Sequence, residues 1–91
     1  MLEIIKEENK VYIKNEDDLI IAYASFPEIS KGVVELDHTV VDESLRGMGV
    51  AGKLMIAAYE VIKSSNRKAV LSCSYAVNYF EKHPELKDIL K

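Results

Sequence analysis

Antiparallel strands followed by a strand, a glycine turn, a helix, a parallel fifth strand and a last helix: this α/β order with one mixed sheet is predicted by three observations. Short β-branched and aromatic runs separated by polar turns fill the chain up to Val41. The stretch Arg46-Gly47-Met48-Gly49-Val50-Ala51-Gly52-Lys53 then punctuates it. Beyond that stretch, Val50, Leu54, Ala57, Ala58, Val61 and Ile62 recur at spacings of three and four, which makes one apolar stripe of a helix.

Taken in order, Leu2–Lys6 and Val11–Lys14 alternate as strands and form a hairpin across Glu7-Glu8-Asn9-Lys10. Asn15-Glu16-Asp17-Asp18 is a second polar turn, and Leu19–Phe26 is a longer strand rich in Ile, Ala and Tyr. Pro27 ends that strand, so residues 27–32 are expected as a loop and Val33–Val41 as the fourth strand of a meander. A helix is expected over Met48–Ser64, with Asn66 suited to the left-handed position that closes it. Ala69–Ser72 is a fifth strand, and because a helix separates it from the fourth, the two should run parallel. Ser74–Lys82 is the second helix, with Ala76, Val77 and Phe80 inward, until His83-Pro84 stops it; Glu85–Leu90 is a brief helical tail.

Ninety-one residues, 48% of them apolar and 30% charged, suit one ordinary globular domain. No apolar run approaches the ~20 residues of a membrane span, and Met1-Leu2-Glu3 does not begin a signal peptide, so a cytoplasmic protein away from membranes is expected. One cysteine and two histidines make no metal cluster. The net charge is −3 and the basic residues are scattered, which argues against nucleic acid and in favour of cationic substrates. A monomer or weak dimer is expected.

A helix that opens from glycines leaves its first N–H groups unpaired at the positive end of the dipole, which makes an anion site. Gly47-x-Gly49-x-x-Gly52 has the letters of the dinucleotide fingerprint, but Cys73 stands near where the ribose-binding acid belongs. Gly47-x-x-x-x-Gly52-Lys53 has those of a P-loop, but Leu54 replaces the magnesium-binding Ser/Thr. A third pattern, Arg46-x-x-Gly49-x-Ala51, resembles the (Gln/Arg)-x-x-Gly-x-(Gly/Ala) signature of the GNAT acetyltransferase superfamily.

The order of elements resembles the same family, and so does Cys73-Ser74-Tyr75-Ala76-Val77-Asn78-Tyr79-Phe80-Glu81-Lys82, beside its Asn-x-x-Ala-x-x-Leu-Tyr-Glu-Lys. The likeness covers roughly residues 10 to 83. It implies a compact GNAT-like fold without the helices that usually follow the first strand and without the last two strands. It implies an N-acetyltransferase that binds acetyl-CoA through Val40, Val41, Arg46, Gly47, Met48, Gly49, Val50, Ala51, Gly52, Lys53 and Cys73 and acetylates a primary amine. A non-catalytic acyl-CoA-binding module is the alternative.

In this family the amine attacks the thioester directly, backbone N–H groups near the fourth strand hold the oxyanion, and a tyrosine protonates the departing thiolate. Phe80 stands at that tyrosine's position and cannot donate; Tyr79, its neighbour, is the substitute acid. An amine must lose a proton before attack, so a base matters more, and Glu35, Asp37 and His38 are the candidates. Strict alternation puts His38 on the apolar face with Val34, Leu36 and Val40, as a core histidine or a base, and Glu35 and Asp37 on the other face with Thr39; a bulge would invert part of that count. Cys73 opens the last helix, where the dipole favours thiolate, and reads either as a small buried residue or as a nucleophile that carries the acetyl group. Tyr12, Tyr23, Tyr59 and Tyr75 read as core or rim aromatics.

Overall fold

The structure, a computed structural model, describes residues 3–91, so Leu2 of the expected first strand lies outside the described residues. Seven strands and two helices follow in the order β1 (Ile5–Lys6), β2 (Lys10–Lys14), β3 (Ile20–Ser25), β4 (Glu28–Ser30), β5 (Val33–Leu36), β6 (His38–Val41), α1 (Val50–Ser64), β7 (Lys68–Leu71) and α2 (Ser74–Lys82). A 3-10 turn over Glu43–Leu45 precedes α1, and another over Pro84–Ile89 closes the chain.

Strands β1, β2, β3 and β6 form an antiparallel sheet in that order. Strand β5 pairs antiparallel with β4 and parallel with β7. The expected fourth strand is thus two strands, because both Asp37 and His38 stand opposite Ser25: the Asp37 N–H donates to Ser25 O at 3.2 Å, and His38 is the register partner of the same serine. This β-bulge re-aims every side chain beyond it. Before the bulge Val34 and Leu36 are fully buried; after it Val40 is 45% exposed and Thr39 and Val41 are half-buried. His38 therefore does not share the apolar face. It is exposed on the side of Glu35 and Asp37, and Thr39 points the other way.

The expected loop 27–32 holds the short strand β4, which Pro27 does not prevent because its carbonyl, needing no N–H of its own, accepts from Glu35 N–H at 2.9 Å. Helix α1 starts at Val50 rather than Met48, since Gly47 and Gly49 have φ of 82° and 70° and cannot be helical there. It ends as predicted: Asn66 has φ 59°, its N–H reaches Lys63 O, and Arg67 N–H reaches Ile62 O. Leu54, Ala58 and Ile62 bury the helix stripe against Val11, Ile13, Ala22 and Ala24 on the inner sheet face, all at most 2% exposed. On α2, Ala76 and Phe80 are buried, but Val77, about 100° further round the helix, is 39% exposed instead of inward.

Among the described residues one buried side chain is charged. Arg67 donates from Nε to Ser65 Oγ (2.7 Å), from Nη1 to Asn9 Oδ1 (2.8 Å) and from Nη2 to Glu8 O (2.6 Å), tying the β1–β2 turn to the end of α1.

Candidate functional site

Gly47 and Gly49 take left-handed conformations, so the chain enters α1 without a side-chain cap. Leu45, Arg46 and Met48 N–H groups are spent on Asp42, Glu43 and Leu45 carbonyls, and Lys53 N–H donates to Gly49 O at 3.3 Å. Among the described residues, the N–H groups of Gly47, Gly49, Val50, Ala51 and Gly52 have no backbone acceptor. They border a pocket lined by Val41, Leu45, Arg46, Gly47, Gly49, Val50, Ala51, Gly52 and Tyr75, with no acidic residue. Met48, 54% exposed, and Lys53, also exposed, lie outside its lining; so does Val40, on the far face of β6.

That pocket is bounded by Val41 of β6 and Tyr75 of α2, and Thr39 and Cys73 of the same two segments meet beyond it. Ser72 and Cys73 N–H groups both donate to Leu36 O at 3.2 Å, which is the last link between the β5 and β7 sides before the chains part at Asp37. Among the described residues, strand β6 has no neighbour on its second edge. Asp42 N–H donates to Ile21 O at 2.8 Å, and antiparallel hydrogen bonds alternate, so His38 and Val40 also bond toward β3 while the backbone groups of Thr39 and Val41 face the open edge.

Cys73 is the residue that opens α2, and its thiol lies 3.6 Å from Thr39 Oγ1. Partial burial works against its thiolate, but the Ala76 N–H, the Thr39 hydroxyl and the Tyr75 N–H outweigh it and hold the thiol below its ordinary pKa.

The three expected catalytic side chains do not converge. Cys73 meets Thr39; His38 is on the opposite face of β6. Tyr79 lies along α1, its ring stacked on His83 (centroids 4.0 Å apart) and on Tyr75 (6.0 Å), and a Cβ at Gly52 would stand 3.1 Å from its Cε1. Phe80 is fully buried.

Asp37 Oδ1 accepts from Ser25 Oγ at 2.6 Å and from His38 Nδ1–H at 3.2 Å. Desolvation opposes ionisation of Asp37, but these two donors outweigh it and hold its carboxyl below the usual range. Tyr75 and Thr39 are the site residues that sequence reasoning missed. The i, i+4, i+8 spacing of Tyr75, Tyr79 and His83 was the available signal for the first; Thr39 was hidden by the bulge.

The family model for GCN5-related N-acetyl-transferases matches residues 10–89. A GCN5-like protein from Staphylococcus aureus is 33% identical in sequence, with a TM-score of 0.79 over 99% of this chain and 88% of that one. An acetyltransferase from Bacillus cereus, at 24% identity and a TM-score of 0.65 over 90% of this chain and 57% of its own, shares the fold. Protein NATD1 of Gallus gallus and of Mus musculus is 36% identical over 62% of this chain; the match spans 51% of each relative, about half their length. With the glycine turn, the open edge of β6 and the parallel β5–β7 pair in place, the chain belongs to the GCN5-related N-acetyl-transferase family.

Proposed function

We propose that this protein binds acetyl-CoA as acyl donor at the head of α1 and transfers the acetyl group to a primary amine. One observation carries the reading: five unpaired N–H groups, from Gly47 to Gly52, gathered at the positive end of a fifteen-residue helix around a pocket with no acidic residue. That arrangement suits a diphosphate, with Arg46 and Lys53 adding positive charge. The pantetheine chain then lies along the open edge of β6, its amides bonded to backbone groups of Thr39 and Val41 as an added strand would be. This brings the thioester to Cys73.

At Cys73 the thiolate attacks the acetyl carbonyl; a carbon–sulfur bond forms to Cys73, the bond to the CoA sulfur breaks, and CoA leaves as thiolate. An acceptor ammonium approaching from the outer face of β6 gives one proton to His38 there and, as free amine, reaches the acetyl-cysteine on the other face through the gap where the chains part at Asp37. The carbon–nitrogen bond forms, Cys73 departs as thiolate, and the second amine proton passes to solvent. Thiolate departure needs no tyrosine acid near neutral pH, which accommodates Phe80 and leaves Tyr79 beside Gly52.

The second reading, an acyl-CoA-binding module, is favoured by the burial of Phe80 and by Tyr79 resting on α1. Intact-mass measurement after incubation with acetyl-CoA tests both. The expected result is one acetyl adduct on Cys73, lost in Cys73→Ser while CoA binding persists. Transfer that survives undiminished in Cys73→Ser, without an adduct in the native protein, would mean direct attack by the amine. CoA binding without an adduct, and without thiol release in the presence of amines, would favour the module.

A further inference from the structure

The bulge places three polar side chains on one face of the sheet, away from Cys73. Ser25, Asp37 and His38 meet there because Asp37 and His38 both stand opposite Ser25. A carboxylate only accepts hydrogen bonds, so the Ser25 hydroxyl and the His38 Nδ1–H both donate to the same Asp37 oxygen, at 2.6 and 3.2 Å. The Asp37 side chain is 25% exposed and that of His38 67% exposed, so a sheltered carboxylate anchors an imidazole that reaches into solvent.

We propose that Asp37 is a positioning residue for acetyl transfer: it fixes the His38 ring with its proton on Nδ1 and leaves the Nε2 lone pair on the outer face of β6, where the acceptor ammonium arrives. The assignment rests on the acetyltransferase reading above. An exposed imidazole without a partner rotates and exchanges tautomers; one held by a carboxylate presents a single basic atom in a single direction. The proton balance is simple: the ammonium loses one proton, His38 Nε2 gains it, and the imidazolium then donates from both nitrogens, one still to Asp37.

The other charged groups nearby have partners of their own. On β2, Lys10 is in register with Ser25, but its ammonium lies over the Tyr12 ring, 4.9 Å from the centroid. On β5, Glu35 accepts from Ser72 Oγ at 2.5 Å across the parallel pair. Asp37 is thus the carboxylate that His38 reaches.

The test uses nitrogen-15 NMR of the imidazoles in the intact protein, beside thiol release from acetyl-CoA with Nα-acetyl-lysine amide as the probe amine. His38 should carry its proton on Nδ1 in the native protein. Asp37→Asn should abolish that preference, Asp37→Glu should restore part of it, and Ser25→Ala should leave it intact. With the probe amine, Asp37→Asn should lower kcat at least tenfold at unchanged KM for acetyl-CoA, and the Asp37→Asn/His38→Ala double variant should be no slower than His38→Ala alone. A proton on Nε2 in the native protein, or a further loss of rate in the double variant, overturns the proposal. If the native protein releases no thiol with the probe, the transferase reading fails for that amine, while the tautomer of the native protein still decides the role of Asp37.

Discussion

The Tyr79 ring lies so close to Gly52 that a methyl group there would stand 3.1 Å from its Cε1. The ring has little freedom to retreat, since it is stacked between Tyr75 and His83. Replacing a glycine inside a helix by alanine ordinarily stabilises by roughly 0.5–1 kcal/mol. Gly52→Ala is expected to yield that gain only in a Tyr79→Ala background and to yield less, or reverse sign, with Tyr79 present. Urea unfolding of the four proteins of this cycle measures the coupling, expected at about 0.5 kcal/mol or more.

At Gly49 the backbone has φ of 70° and a Cβ would meet no atom within 4 Å. Alanine and aspartate there share the same strain, of order 1–2 kcal/mol, and differ mainly in charge. Gly49→Asp should bind CoA roughly 100-fold more weakly than Gly49→Ala, because its carboxylate faces the diphosphate. Equal affinities for the two folded variants, by isothermal titration, would move the anion site elsewhere.

Arg67 serves stability rather than chemistry. Its three donors are fixed on Ser65, Asn9 and Glu8, and the side chain is 7% exposed. Arg67→Ala is expected to cost about 3 kcal/mol in chemical unfolding, and Arg67→Lys to recover only part of it, because an ammonium cannot span three acceptors set for a planar fork.

The second and third strands, the left-handed Asn66 and the parallel pairing across α1 were legible because each follows from local chemistry: β-branched alternation, an αL residue, an intervening helix. The bulge was not, since Asp37-His38-Thr39 are three polar residues in a row that carry no alternation to fix the phase, and nothing in them says that two share Ser25. That one displacement turned His38 from an inward into an outward residue and hid Thr39 beside Cys73. The place of Cys73 at the start of α2 was legible from position, between the end of a strand and the start of a helix.

Acid sensitivity follows from Asp37, Asp42 and Asp88, all held below the usual carboxylate pKa. Asp37 owes this to its two donors, which outweigh its burial; Asp42 to the Ser44 hydroxyl and N–H; Asp88 to the Lys63 ammonium and Tyr59 hydroxyl. In acid the unfolded chain binds more protons than the folded one, so stability should rise with pH between about 2 and about 5 and fade as pH drops through the folded-state values. Lys63 is shifted up by the same Asp88, so on its alkaline side that pair is lost only as pH rises into strong alkali. Asp42→Asn and Asp88→Asn should each flatten the rise of the urea midpoint over that range; an unchanged slope in both would contradict the assignment.

The bulge also sets the phase of the chain. Upstream of Asp37, even-numbered residues face the core; downstream of His38, odd-numbered ones do. Removing either residue would restore strict alternation and so force one half of the strand to turn over: Thr39 and Val41 would leave the Cys73 side, or Val34 and Leu36 would leave the core. A one-residue deletion here is therefore a frame error in three dimensions, and it should harm the protein more than shortening any single side chain between Val33 and Val41.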